Sequence, residues 1–293
     1  MNTLGHVHPN LHQLFDGDVS KRTNYILSER FIPYKNASKV AKDVREVMGV
    51  DYSKRPKCIL IYAEPGMGKS MLLESIACVY PPCRPSPESG RKHVFVHVSL
   101  ESVTDLRQMY SRILTILGEP HSMDDKPASM QEQAREALKT AGTKVLAIDE
   151  LHNLLQMRKM LEFHMAVLRD LANLPLCLLC AGTNVASSCI AADPQLKDRF
   201  RRYRLSAWGE TMETRNFLAT LESRLPLARP SDLSGSVMMP LILRLSRGHT
   251  GTMVTGLREA ARDAVEDGSE RIDEEGVSVA IGRVLTEQLE MTM

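Results

Sequence analysis

Ala63-Glu64-Pro65-Gly66-Met67-Gly68-Lys69-Ser70 is the stretch on which the reading of this chain turns. It follows an unbroken apolar run, Cys58-Ile59-Leu60-Ile61-Tyr62. Such a run bounded by a turn is what a buried parallel strand requires. Met71, Leu72, Ile76 and Val79 come next at helical spacing, which predicts a helix over 69–79. Strand, glycine turn and helix in that order form a cradle for phosphate. Gly66 and Gly68 let backbone N–H groups curl around an anion, and the helix aims its positive end at it. In that arrangement Lys69 reaches the β and γ phosphates of ATP and the Ser70 hydroxyl holds Mg²⁺. Glu64, Pro65, Met67 and Met71 complete the nucleotide-contacting segment. The P-loop pattern asks for a glycine at its first position, where this chain has Ala63. The last three positions match.

A second motif, Val145-Leu146-Ala147-Ile148-Asp149-Glu150, lies one α/β segment further on. Its four apolar residues predict a strand that delivers Asp149 to the C-terminal edge of a parallel sheet, where ligands collect. Asp149 would then join Ser70 in the Mg²⁺ shell, and Glu150 would polarise a water for attack on the γ-phosphate. A further apolar run, Leu176 to Ala181, predicts the fourth strand of a sheet and leads into Thr183 and Asn184. Either residue can reach the γ-phosphate or the attacking water, or simply cap the turn. Asp198-Arg199-Phe200-Arg201-Arg202-Tyr203-Arg204 is a dense basic cluster. It reads as the source of an arginine finger for a neighbouring subunit, with Arg199 first, or as a solvated basic turn.

Around these motifs the pattern is that of an α/β protein. Ala37, Val40, Ala41, Val44 and Val47 predict a helix. His93 to Leu100 alternates as a strand, and helices are expected near 103–117 and 129–140. Pro81 to Pro87 reads as a loop, a long helical stretch runs to about Asn173, and Tyr203-Arg204-Leu205 reads as a fifth strand. From Glu210 onward the pattern is helical throughout. Strands alternating with helices imply a parallel sheet, and the helical tail implies a small all-helical lid. The expected division is an N-terminal arm over 1–35, a nucleotide-binding core over 36–208 and the lid over 209–293.

Composition narrows the function little. Lys plus Arg total 37 against 36 for Asp plus Glu, so any nucleic-acid surface must be a local patch. Arg107, Arg112, Arg158 and Lys159 are candidates on helices, as are ordinary solvated faces. The first residues lack a signal-peptide pattern and no apolar run is long enough to span a bilayer, which implies a cytosolic protein with reduced cysteines. Cys177 and Cys180 have zinc-like spacing but lie in a buried-strand run with no second ligand pair at finger spacing. His6, His8 and His12 read as solvated or locally hydrogen-bonded side chains.

Several stretches resemble the TniB branch of transposition ATPases, relatives of TnsC. They are Ile148-Asp149-Glu150-Leu151-His152-Asn153-Leu154-Leu155, Leu176 to Thr183 and Asp193-Pro194-Gln195-Leu196-Lys197-Asp198-Arg199-Phe200. His6-Val7-His8-Pro9, Glu29 to Tyr34 and Leu225 to Ser231 match in the same order. The resemblance implies an AAA+ core, a P-loop parallel sheet with flanking helices, and a C-terminal helical lid. It implies an ATP-dependent homo-oligomer, a ring or helical filament, loaded on double-stranded DNA without sequence preference. Such an assembly links a target-selecting protein of TniQ type to a transposase, and hydrolysis takes it apart. By motif match Lys69, Ser70, Asp149 and Glu150 take the Walker roles. Thr183 or Asn184 takes the sensor role, Arg199 the finger role, and Ile32 and Tyr34 border the adenine.

The lid departs from the common pattern. Gly248-His249-Thr250-Gly251-Thr252-Met253 opens a helix where many AAA+ proteins carry a nucleotide-sensing arginine, and neither Arg247 nor Arg258 is in register, so no lid sensor is assigned. A helicase or clamp loader of similar fold is the alternative function. A nucleotide kinase would need an arginine-rich substrate lid that the C-terminal region lacks.

Overall fold

The computed structural model of the chain describes residues 4–50, 56–86, 90–103, 105–156 and 158–290. After a 3₁₀ turn at Pro9–Leu14 come α1 (Val19–Leu27), α2 (Lys35–Met48), β1 (Cys58–Tyr62) and α3 (Lys69–Ala77). The chain continues through β2 (Cys83–Ser86), β3 (Gly90–Lys92), β4 (Phe95–Ser99), α4 (Leu106–Leu117) and α5 (Pro127–Thr140). Next are β5 (Val145–Asp149), α6 (His152–Leu155), α7 (Leu161–Ala172), β6 (Cys177–Gly182), α8 (Asn184–Ala192), α9 (Pro194–Lys197) and β7 (Phe200–Arg204). Four helices close the chain: α10 (Met212–Glu222), α11 (Met238–Ser246), α12 (Thr250–Glu266) and α13 (Glu274–Glu290).

Two units cluster separately. The α/β unit comprises Asn36–Pro65 and Lys69–Leu205. Its five strands lie in the order β4-β5-β6-β1-β7, and every pairing is parallel. The apolar runs become strands because both faces are covered: every residue of β5 and β6 is buried, as are the first four of β1. Parallel pairing puts the C-terminal ends of β1, β5 and β6 side by side, with Tyr62 opposite Gly182 and Ile148 opposite Cys180. In α2, Ala37, Val40, Val44 and Val47 are buried at the three- and four-residue spacing of one helix face. The ends of α4 follow local rules. Asp105 accepts the Gln108 N–H at 2.9 Å, and Gly118 at φ 74° takes the left-handed turn that stops the helix.

Two segments differ from the sequence-based expectation. The proline-rich stretch read as a loop holds β2, paired antiparallel with β3, while Pro87 lies outside the described residues. A two-stranded ribbon has free outer edges, where a proline nitrogen costs no ladder bond. The long helical stretch is broken into α6, a 3₁₀ turn at Arg158–Met160 and α7. The Leu154 carbonyl, which a continuous helix would give to the N–H four residues on, instead accepts from the buried His164 Nδ1 at 2.7 Å.

The helical unit comprises Met1–Lys35, Gly66–Gly68 and Ser206–Met293. Its core joins Ile26 and Ile32 to apolar residues of α10 through α13. Gly256 permits α12 and α13 to cross closely, since a Cβ there would sit 2.5 Å from Ile281 Cγ1. Within this unit Tyr34, Trp208 and Phe217 form an aromatic cluster, with Trp208 stacked on Phe217 at 4.5 Å between ring centroids. Among the described residues no helix is long and apolar enough to cross a membrane.

Candidate functional site

The chain after β1 turns at Gly66 (φ 72°) and Gly68 (φ 80°), a left-handed conformation that glycine adopts without strain. Helix α3 then starts at Lys69. Only 5% of Lys69 is exposed, and its ammonium donates to the carbonyls of Glu64 at 3.1 Å and Ala63 at 3.4 Å. Burial lowers its pKa, opposed by the negative charges of Glu150, Asp149 and Glu64. Ser70, in the first turn of α3, is half-buried. Met71 is likewise half-buried, and Met67 is buried.

The acids come from the end of β5. Asp149 is 3% exposed and has no ion-pair partner among the described residues, and its Oδ1 accepts the Glu150 N–H at 2.8 Å. A buried carboxylate without a cation in contact is costly to fold, which makes it a functional candidate. Glu150 itself sits at φ 55°, the left-handed region that non-glycine residues seldom occupy. Its Oε2 lies 3.2 Å from His152 Nε2.

Strand β6, between β5 and β1, brings up the third edge. Gly182 ends it because a Cβ there would lie 2.8 Å from Ala186 Cβ. Thr183 is the N-cap residue of α8 yet makes no capping bond with its side chain, and its Oγ1 is buried without a protein partner among the described residues. The Asn184 amide donates to Glu64 Oε1 at 2.5 Å, tying the end of β6 to the loop after β1. Lys69, Ser70, Asp149, Glu150, Thr183, Asn184 and Glu64 therefore gather at one edge of the parallel sheet.

Arg199 does not join them. It immediately precedes β7, whose first residue Phe200 pairs with the first residue of β1, so it lies at the opposite edge of the sheet. Its guanidinium donates to the Ala172 carbonyl at the end of α7. In the same cluster Arg201 pairs with Asp43 at 2.6 Å, while Arg202 and Arg204 are exposed. Ile32 and Tyr34 belong to the helical unit, Ile32 in its core and Tyr34 against Trp208 and Phe217. The Tyr34 hydroxyl is pushed well above its ordinary pKa, by burial first and by Glu213 second. Of the basic candidates for nucleic acid, Arg107 donates to the Met123 carbonyl, and Arg112 donates to the carbonyls of Ser99, the last residue of β4, and of Glu101 just after it. Lys159 is exposed, and the Arg158 side chain lies outside the described residues.

In the lid, Arg247 adopts φ 51° at the end of α11 and Arg258 donates to the Arg30 carbonyl at 3.0 Å. Gly251 N–H donates to Gly66 O at 2.8 Å, and a Cβ on Gly251 would stand 2.9 Å from that oxygen. Glycine at 251 thus permits a close backbone approach. One residue that sequence reasoning missed is His97 on β4. Burial depresses its pKa, Asp149 and Glu74 pull the other way, and its Nε2 is buried without a protein partner among the described residues. The alternating pattern of 93–100 marked a strand but not which face lies over the acids.

The chain matches the family described as Bacterial TniB protein over residues 22–210. No curated protein matches by sequence. Solved structures share the fold. The Aeropyrum pernix ORC2 protein in ADPNP–ADP complexes is 15% identical, with 88% of this chain and 70% of that chain covered and a TM-score of 0.59. Cdc6p from Pyrobaculum aerophilum is 16% identical over 90% and 70%, with a TM-score of 0.62. The Aeropyrum pernix ORC1 protein in complex with DNA is 15% identical over 89% and 69%, with a TM-score of 0.60. These likenesses establish an α/β AAA+-like fold with a central parallel sheet and a C-terminal helical extension.

Proposed function

The chain belongs to the bacterial TniB family and is an AAA+-type ATPase, and on that premise we propose that it uses ATP and Mg²⁺ as an assembly switch on duplex DNA. In the nucleotide-bound state it forms a ring or helical filament that links a target-selecting protein of TniQ type to a transposase, and hydrolysis releases it. It would do so in the bacterial cytosol, on the nucleoid. The observation that carries the reading is the parallel alignment that brings the glycine turn before Lys69, after β1, to the same end of the sheet as Asp149 and Glu150, at the end of β5, with β6 between the two strands.

The residues suit a magnesium nucleotide. Gly66 and Gly68 open the loop backbone, Asp149 is a buried carboxylate without a paired cation among the described residues, and the Thr183 hydroxyl is buried and unpartnered among them. Bound Mg²⁺ would polarise the γ-phosphoryl group as a Lewis acid. The Lys69 ammonium would exchange the Ala63 and Glu64 carbonyls for phosphate oxygens. Ser70 and Asp149 would hold the metal, with Glu64, Pro65, Met67 and Met71 lining the phosphate path. Glu150 would accept the proton of the attacking water, and Thr183 or Asn184 would sense the γ-phosphate. Arg199, at the far edge, would serve a neighbouring subunit once freed from Ala172. Ile32 and Tyr34 would border the adenine.

The fold likeness to the ORC and Cdc6 structures favours a second reading, an initiator- or loader-type ATPase that remodels a replication protein. Electron micrographs of the protein on linear duplex with ATP separate the two. Coats or rings that persist in Glu150→Gln and vanish in the parent as ATP is consumed are expected. A stable complex with a helicase and bare DNA would favour the loader instead.

A further inference from the structure

His152 has no part in the reaction described above, yet its imidazole touches the carboxylate assigned to activate water. Nε2 lies 3.2 Å from Glu150 Oε2, with only 13% of the His152 side chain and 29% of the Glu150 side chain exposed. A carboxylate only accepts, so Nε2 is the protonated nitrogen and donates to it. Nδ1 is buried with no protein partner among the described residues. The imidazole is carried on a backbone fixed from two sides. The Leu151 N–H donates to the Ala181 carbonyl at 2.9 Å, and the Asn153 amide donates to the Leu100 carbonyl at 2.9 Å. The Glu150 backbone is fixed too, through its N–H to Asp149 Oδ1. What remains free is the rotation of the Glu150 side chain, and the contact with His152 selects one orientation.

We propose that His152 is a positioning residue for hydrolysis: its Nε2–H holds Oε2 of Glu150 and leaves Oε1 to face the attacking water. This rests on the reading of Glu150 as the water-activating carboxylate. It differs from a purely structural role because α6 is already anchored through Leu151 and Asn153, so loss of the ring leaves the local fold in place.

The test is a substitution series in the full chain. In His152→Ala the hydrolysis kcat is expected to fall about tenfold. KM for ATP, and affinity for a fluorescent ATP analogue, should stay at the parental value. His152→Gln should restore most of the rate, because its amide nitrogen reaches the place of Nε2. His152→Asn, whose amide nitrogen ends where Nδ1 sits, should not. A second readout needs no nucleotide. Thermal unfolding of the unliganded Glu150→Ala, His152→Ala and double variants should give non-additive shifts in midpoint. Parental kcat in His152→Ala, equal rates in the Gln and Asn variants, or additive midpoint shifts would each overturn the proposal. Absence of hydrolysis in the parent would instead sink the ATPase reading, and with it this role, while the unfolding cycle would still report the contact.

Discussion

In the helical unit one carboxylate, Glu222, accepts three backbone N–H groups, from Ser231 at 2.7 Å and from Asp232 and Leu233 at 2.9 Å each. Arg22 and Glu270 pair through both oxygens, and Glu270 also accepts the Ala228 N–H at 3.0 Å. In the α/β unit, by contrast, Thr183 Oγ1, His97 Nε2 and His152 Nδ1 are buried without protein partners among the described residues. Asp149 is buried with no ion-pair partner among the described residues. The difference separates two uses of polarity. Glu222 and Glu270 of the helical unit meet their partners within the fold, so their worth is in stability. Thr183 Oγ1, His97 Nε2 and His152 Nδ1 lack such partners among the described residues, the pattern expected where stability is forgone for chemistry.

The largest effect that can sharpen this contrast is at Lys69. Its ammonium is desolvated and held by two carbonyls, so its removal should hardly weaken the fold. Lys69→Ala is expected to cut ATP hydrolysis by at least about 100-fold, the scale of losing one preorganised cation or donor at a reacting phosphate. Its unfolding midpoint in urea should stay near the parental one. The mirror experiment is Glu222→Ala, which leaves three backbone donors without their acceptor. It should lower the unfolding free energy by about 2–3 kcal/mol while hydrolysis per folded molecule holds. A Lys69 variant as destabilised as the Glu222 variant would erase the distinction between the units.

Thr183 tests the same idea on a smaller scale. Valine has nearly its shape and no hydroxyl, so Thr183→Val removes an unpartnered polar atom. The expectation is a gain of about 1 kcal/mol in stability, together with a hydrolysis rate lower by about tenfold, equivalent to about 1.4 kcal/mol in the barrier. A variant less stable than the parent would mean that the hydroxyl serves the fold. Calorimetry and a steady-state assay on one preparation give both numbers.

How far this contrast could be read beforehand depends on the range of the forces behind each feature. Strands β1, β5 and β6 were legible because burial on both faces demands unbroken apolar runs. The side chains at their C-terminal ends were legible with them, since parallel pairing aligns those ends. The β2–β3 ribbon was not, because its prolines signal a loop and only pairing across the turn overrides them. The break after α6 depends on His164 reaching back to Leu154, ten residues away, which no local pattern announces. Arg199 was legible as a cation, but its tie to Ala172 is a tertiary contact. His152 lies in a stretch that resembles the family, but its reach to Glu150 depends on the left-handed turn at φ 55°, which sequence spacing does not encode.

The smallest effect is in pH, where the two units should separate by window. Burial holds the His97 pKa below the ordinary 6.5, against the pull of Asp149 and Glu74. Below pH 6.5 the unfolded chain therefore binds a proton that the folded chain resists, and stability must fall as the pH drops. One proton limits the slope to about 1.4 kcal/mol per pH unit, and a partly solvated ring gives less. At Asp263 in the helical unit, burial pushes the carboxyl up but hydrogen bonds from Arg262 and Arg283 outweigh it, so its pKa lies below the ordinary 3.8. That contribution is fully present above 3.8 and is lost only as the pH falls below it. Melting curves between pH 7 and pH 5 should thus decline in the parent and flatten in His97→Gln, while Asp263→Asn leaves the slope in that window untouched. An unchanged slope in His97→Gln would show that the ring keeps its proton equilibrium on folding and that its burial beside Asp149 carries no electrostatic cost.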